Sequence, residues 1–384
     1  MAKKLSRRDF IKLSGVTSVG MLLAACGVKA TEIPTSTSTL LPSLTPLPTQ
    51  ISIPTATATP LPPSLRTFAS QAGIEIGTES TGWWFNNPKW QAIVGTEFNF
   101  LTIDWGVYWN ESEPQRANFD FSTIDKQVAF AEKFSMKIKG QALVFPTTLP
   151  DWLKQGNYSK QDLEQILTTH IKTLVEQYKG KISEWVVVNE PYIYPYRKDD
   201  IFYQAIGDDY IDIAFQAARE ADPSAILIYN DSDNHSSSGI TTKLTRQITQ
   251  RLLAKGLIDG VGLQMHLNGA QPPNKDDVSA TMISYGIPVY VTEFDVNLKD
   301  ISGTQDERYS KQSNIYQDML DACIRSGVCK SFTTWGIGDK YSWLEYPPNQ
   351  SFTSPNANPT LFDDDLNPKL AYYAMLDVLK QYAH

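Results

Sequence analysis

Residues 183–191 read SEWVVVNEP, and no other nine letters in the chain constrain its architecture as tightly. Trp185, Val186, Val187 and Val188 form an unbroken apolar run, which suits a strand covered on both faces, as in a parallel sheet wrapped by helices. Pro191 cannot extend the ladder. In sheets of that kind the carboxyl ends of the strands line the site, which puts Glu190 where chemistry is usually done. A lone acid at a strand end more often turns out into water, so Glu190 needs a partner.

Working outward, comparable runs recur at 73–77, 98–103, 136–141, 225–229, 260–264, 288–292 and 331–334. Helical spacing fills the intervals, as in SKQDLEQILTTHIKTLVEQY and DDYIDIAFQAAREADP, where Ser159 and Asp208 are the expected caps. Eight alternating βα units with right-handed crossovers close most economically into a (β/α)8 TIM barrel, an α/β fold. Residues 65–384 therefore read as a single catalytic domain. No internal repeat and no nucleotide or phosphate loop is evident.

The seventh run, IPVYVTEFDV, also stops at an acid, Glu293. Fourth and seventh strands of eight face each other across a barrel mouth. Two opposed carboxylates are the minimum equipment for cutting a glycosidic bond, which needs a proton on the leaving oxygen and negative charge facing an oxocarbenium-like transition state. Glu190 follows an apolar strand and the uncharged Asn189, which suits the protonated acid. Glu293 then takes the ionised role. The sixth run ends in GLQMHL, where His266, beside Gln264, is placed to bridge Glu293 and Asp295 and hold the nucleophile. A histidine on an apolar strand is by itself more often a satisfied core residue; its place on the rim favours the site. Trp335 and Trp343, in TTWGIGDKYSW, offer faces on which sugar rings can stack, although single tryptophans are more often core.

Composition sets the surroundings. The chain has 384 residues, 41% hydrophobic and 11% aromatic, with formal net charge −8. Its first 25 residues carry a local +4, which leaves the remainder at −12. An acidic exterior argues against nucleic acid and anionic membrane surfaces as partners. The opening MAKKLSRRDFIKLSGVTSVGMLLAACG places a basic segment before an apolar run shorter than the ~20 residues that span a bilayer. It resembles a twin-arginine export signal, and Leu23, Ala24, Ala25 and Cys26 resemble a lipoprotein cleavage box with Cys26 as the lipidated residue. Residues 1–26 are thus expected to direct export, leaving the protein anchored on the outer face of the cell or secreted. Residues 27–64, rich in Thr, Ser and Pro, form the linker. A lipid on Cys26 is then the only membrane contact expected, and the protein is expected to be a monomer. Cys323 and Cys329 suit a small disulfide loop in an exported protein. A metal site competes with that reading, but the chain has four histidines and none near the pair. No metal or cofactor is called for.

Together these residues resemble glycoside hydrolase family 10, the endo-1,4-β-xylanases, a retaining family built on a (β/α)8 barrel. The resemblance rests on EFN at 97–99, EPQRANFDFSTIDKQVAFA at 113–131, LPDWL at 149–153, WVVVNEP at 185–191, IGDDYIDIAFQAAREADP at 206–223, GLQMH at 262–266, VTEFDV at 291–296 and TWGIGDKYSW at 334–343. It implies Glu190 as acid/base, Glu293 as nucleophile and Asn189 as the amide facing the 2-hydroxyl of the sugar being cut. Gln264, His266, Asp295, Trp335 and Trp343 fall on the family's active-site positions, and Cys323 and Cys329 match a common cysteine pair. The substrate implied is xylan. Two strand ends depart from the pattern. TIDWGVYW puts Asp104, Trp105 and Tyr108 where Glu, Asn and Lys are expected, and GQALVFP puts Gln141 and Pro146 in place of two histidines. Asp104 and Gln141 then bind the sugar on the non-reducing side in a rebuilt pocket, which leaves another β-glycan or short xylo-oligosaccharides as alternative substrates. A non-catalytic surface protein that grips carbohydrate is the alternative of another class.

Overall fold

Ser64 starts the first helix, Leu65–Ala72, by accepting a hydrogen bond from the Thr67 amide, and Gly73 ends it in the left-handed conformation at φ 71°. That cap takes up the residues expected to begin a strand. The strand β1 therefore runs Glu75–Glu79, two residues later than 73–77. The computed structural model describes residues 63–383 apart from 81, 83, 193–199 and 347–353. They belong to one compact unit, Pro60–His384. The export segment with Cys26 lies outside the described residues, as does the linker up to residue 62.

The remaining strands are β2 Phe100–Ile103, β3 Lys137–Val144, β4 Glu184–Asn189, β5 Ile226–Asp231, β6 Gly260–Leu263, β7 His266–Asn268, β8 Val289–Asn297 and β9 Cys329–Thr334. Every pairing is parallel. Neighbours run in order from β1 to β6, β6 pairs with β8, and β9 closes back onto β1. Eight staves with helices between them make the expected (β/α)8 barrel. The ninth strand is a correction. The sixth run breaks after Leu263, Met265 takes φ 61°, and the chain resumes as β7, pairing His266 with Asp295 of β8. The seventh run also extends further than 288–292, so Glu293 and Asp295 lie within β8 rather than at its end.

β4 shows why the run 185–188 is apolar on both faces. Val186 points into a small inner cluster with Ala142, Ile228 and Tyr290, whereas Trp185 and Val187 pack into the outer core between strands and helices. Each such side chain contributes roughly 1.5–3 kcal/mol by leaving water. Trp185 lies against β3 where residue 140 is glycine; a Cβ there would come within 2.2 Å of the indole. Helix Lys160–Gln177 carries the expected cap as a full capping box between Ser159 and Asp162. Its buried Leu163, Ile166, Leu167, Ile171 and Leu174 follow helical spacing. Asp208 precedes helix Asp209–Ala221, but its side chain makes no cap; its Oδ1 accepts from the Tyr192 hydroxyl at 3.0 Å.

Cys323, near the end of helix Gln305–Ser326, is joined to Cys329 at the start of β9. Lys369 and Asp339 form a fully buried ion pair, with Lys369 Nζ 2.8 Å from Asp339 Oδ2. It ties the turn after Trp335 to the segment leading into the last helix, Leu370–Tyr382. Among the described residues, no helix is long and apolar enough to cross a membrane, and no cluster of His, Cys, Asp and Glu is arranged to hold a metal.

Candidate active site

Glu190 is the first residue beyond β4. Its backbone sits at φ 50°, a left-handed conformation that costs a non-glycine residue about 1 kcal/mol or more. The amide of Glu190 donates to the Asn230 carbonyl at 3.1 Å, which fixes that turn to the end of β5. On the side chain, Oε1 accepts from Gln264 Nε2. Burial, followed by the negative charge of Glu293, pushes the Glu190 carboxyl up to about 7.

Glu293 lies in a different setting. Its Oε1 accepts from Gln141 Nε2 and from Asn230 Nδ2, each at 2.6 Å, and its Oε2 lies 3.1 Å from His266 Nε2. Three donors thus converge on one carboxylate that is only 5% exposed. Alternation along β8 puts Glu293 and Asp295 on one face, and the break between β6 and β7 presents His266 to both. The Asp295 Oδ2 lies 2.9 Å from His266 Nδ1 and accepts from Trp343 Nε1 at 2.7 Å. Burial opposes a charge on His266, but Asp295 and Glu293 outweigh it and hold the imidazolium up to about 10. At neutral pH His266 is therefore a cation that donates from both nitrogens.

Asn189 Oδ1 accepts from Asn230 Nδ2 at 2.8 Å and from Gln264 Nε2 at 3.3 Å. Its acceptor is occupied, so a ligand contact from Asn189 would come through Nδ2. Gln141, expected to face sugar, donates one N–H of its amide to Glu293. A cavity of roughly 370 Å³ lies beside this network, lined by Asp104, Trp105, Tyr108 and Glu111 and by Trp335 and Trp343. Neither glutamate of the pair lines it; the Tyr108 phenol is raised by burial first, then by the charge of Asp104 and, after it, that of Glu293. Asp104 is pushed up to about 6 by burial, against hydrogen bonds from the Trp105 amide, Tyr108 and Glu79.

Sequence reasoning missed four residues here. Asn230 and Asp231 end β5, and the expected strand 225–229 stopped one residue short of them. The rim rule applied to β4 and β8 would have found both. Asp231, raised to about 7 by burial, accepts from the Tyr229 hydroxyl at 2.7 Å. Thr292 donates to Asn230 Oδ1 at 2.7 Å and so fixes which end of that amide meets Glu293. Glu79, at the end of β1, carried no motif signal and came into view only through its contact with Asp104.

The profile of glycosyl hydrolase family 10 matches residues 64–378. Endo-1,4-beta-xylanase B of Thermotoga neapolitana is 32% identical over 325 residues, covering 83% of this chain and 92% of that protein. Among solved structures, native xylanase 10B from Thermotoga maritima superimposes with TM-score 0.76 at 34% identity, over 83% of this chain and 98% of that one. Xylanase 10B from Thermotoga petrophila RKU-1, in complex with xylobiose, gives TM-score 0.76 at 33% identity, over 84% and 98%.

Proposed function

The chain belongs to glycosyl hydrolase family 10, and on that premise we propose that it is a retaining endo-1,4-β-xylanase with Glu293 as nucleophile and Glu190 as acid/base. The observation that carries the assignment of roles is the asymmetry between the two glutamates. Glu293 is held by three donors as an acceptor ready to attack, whereas Glu190 has one side-chain donor and a carboxyl raised to about 7. Glu293 attacks the anomeric carbon. The glycosidic C–O bond breaks, its electron pair leaves on the oxygen, and that oxygen takes the Glu190 proton. Water then gives a proton to Glu190 and attacks the same carbon, the ester bond to Glu293 breaks, and both carboxyls return to their starting states.

The surrounding residues supply position and charge. His266⁺, fixed by Asp295, steadies Glu293, and Asn189 offers Nδ2 to the 2-hydroxyl of the reacting sugar. Gln264 orients Glu190, while Trp335 and Trp343 give flat faces to sugar rings; Asp104 accepts from hydroxyls further along, and Gln141 acts through Glu293. Xylan is the substrate that the xylanase relatives favour. The aromatic rebuilding at Trp105 and Tyr108 keeps a second substrate in play, namely another β-glycan or short xylo-oligosaccharides.

Kinetics of two variants test the roles. Glu293→Gln should lose on the order of 10⁴-fold or more in kcat on xylan and on aryl β-xylosides alike. Glu190→Ala should lose as much on xylan but retain fast release of a good phenolate leaving group, which needs no proton. Wild-type rates in Glu293→Gln would end the assignment. Any measurable hydrolysis of a β-glycan dismisses the binding-protein alternative, and a panel of xylans and glucans scored by reducing ends separates the two substrates.

Beyond the catalytic domain, 65–384, the proposal covers export through residues 1–26 and a spacer at 27–64, with Cys26 carrying the lipid and the body acting as a monomer on polysaccharide outside the cell. Labelling of Cys26 by a fatty acid, lost in Cys26→Ser, tests the anchor. A wild-type protein that takes up no label argues for plain secretion.

A further inference from the structure

Gln141 gives Glu293 one of its three hydrogen bonds, from Nε2 to Oε1 at 2.6 Å. The other end of that amide, Oε1, is out of water and has no hydrogen-bond partner among the described residues. Asn230 differs, since the Thr292 hydroxyl holds its amide oxygen. A rotated Gln141 would set oxygen against carboxylate oxygen, so the contact depends on which end of the amide faces Glu293. A donor on Gln141 Oε1 would settle that.

The same strand carries one. Along β3, Ile138 packs into the outer core and Gly140 lies against the Trp185 indole, which puts Lys139 and Gln141 on the inner face, about 6.6 Å apart along the strand. Lys139 is fully buried, and its Nζ also has no hydrogen-bond partner among the described residues. Its register neighbours are Thr102 of β2 and Glu184 of β4, whose Oγ1 and Oε2 are unpartnered in the same sense. Lys139 Nζ stands 5.7 Å from the centre of the Phe100 ring. Phe100 borders the space left by Gly77, where a Cβ would come within 2.9 Å of that ring and 3.0 Å of the unpartnered Thr333 hydroxyl. The barrel interior below Glu293 thus gathers polar atoms from four strands that the protein itself does not satisfy. Water is the usual partner of such groups, making ~3 hydrogen bonds in a buried position. Burial presses Lys139 down and Glu184 up, both towards neutrality, but Lys139 Nζ has hydrogens to donate in either state.

We propose that Lys139 is a positioning residue for the cleavage reaction: through a buried water it donates to Gln141 Oε1 and so keeps Gln141 Nε2 on Glu293. Fully buried, it meets no sugar itself. The inference deepens the xylanase reading and rests on Glu293 as its nucleophile.

A crystal structure of the wild-type protein tests the link without any substitution. The expected result is an ordered water within about 3.2 Å of both Lys139 Nζ and Gln141 Oε1. No water at that place, or Lys139 turned away into a direct ion pair with Glu184, overturns the proposal.

Kinetics test the role. Lys139→Met should lower kcat on xylan about tenfold while KM stays within about twofold of wild type. In a Gln141→Leu background, which has no amide to position, the same change should lower kcat by less than about twofold. A side chain that only fills the barrel would do equal harm in both backgrounds, so equal losses overturn the proposal, as does a Lys139→Met variant with wild-type kcat. Should Lys139→Met fail to fold, Lys139→Met/Glu184→Gln runs the same comparison with both charges removed. A wild-type protein that cleaves no xylan counts against the xylanase reading instead, and the water at Gln141 still decides this link.

Discussion

Asn230 Nδ2 stands 2.6 Å from Glu293 Oε1 and 2.8 Å from Asn189 Oδ1, so one amide group uses both hydrogens to link Glu293 to the residue before Glu190. The other end of that amide is locked by the Thr292 hydroxyl. Replacing Asn230 by Ala removes a donor to a charged acceptor, an interaction worth about 1.5–3 kcal/mol. We expect kcat/KM for xylan to fall roughly 10- to 100-fold by that energy, mostly in kcat. A variant within twofold of wild type would show that Gln141 and His266 suffice to hold Glu293.

The pH profile should follow Glu190. In the proposed reaction the first step needs a proton on that carboxyl, which burial and the Glu293 charge hold up to about 7, so kcat/KM should decline on the alkaline side with a midpoint near 7. A profile flat to pH 9 would contradict the acid role.

The same shift has a consequence for stability. A carboxyl raised in the folded state favours folding fully below its ordinary value of 4.5, and that advantage is lost as pH rises through about 7. Above that point the partly buried anion weakens the fold. Glu190→Gln should therefore stabilise the protein at pH 8 by on the order of 2 kcal/mol and change little at pH 4, as measured by denaturant midpoints. Equal effects at both pH values would remove the electrostatic explanation.

Trp343 carries two duties that can be separated. Its indole packs 4.8 Å from the His266 ring, and its Nε1 donates to Asp295 at 2.7 Å. Trp343→Phe keeps an aromatic face and deletes the donor, leaving Asp295 with His266 alone. A loss of about tenfold or more in kcat, exceeding the rise in KM, is the expected pattern for a positioning hydrogen bond to a carboxylate. A change confined to KM would reduce Trp343 to a stacking surface.

Lys369 tests how the tryptophan-bearing turn is held. Its Nζ meets both oxygens of Asp339, at 3.1 and 2.8 Å, out of water, and the part-buried Asn358 carbonyl at 2.8 Å. Lys369→Met strands Asp339 in the interior and should cost about 3–5 kcal/mol in urea unfolding. The double change Lys369→Met/Asp339→Leu should recover much of that loss. Failure to recover would mean that the hydrogen bonds Thr360 donates to Asp339, rather than the ion pair, hold the turn.

How far the letters reached can be judged at particular residues. The capping box at Ser159 and the two-faced burial of β4 were legible because both depend on neighbours in sequence: a side chain three residues from its own backbone, and a run of apolar residues at strand spacing. Asp208 shows the limit, since its carboxylate meets Tyr192 rather than capping its own helix. The split of the sixth run into β6 and β7 was equally hidden. It turns on a left-handed backbone at Met265, a residue type that gives no local sign of one.

By itself the sequence determined the barrel, through eight apolar runs separated by helical periods, and named two glutamates on staves that must face each other. Only the tertiary structure decided what surrounds them. It brought Gln141, Asn230 and His266 from three strands onto Glu293, and set Glu79 against Asp104. The physical reason is range. Strand formation is read from contiguous residues, whereas a carboxyl's charge state depends on burial and on donors that chain closure delivers from up to 152 positions away.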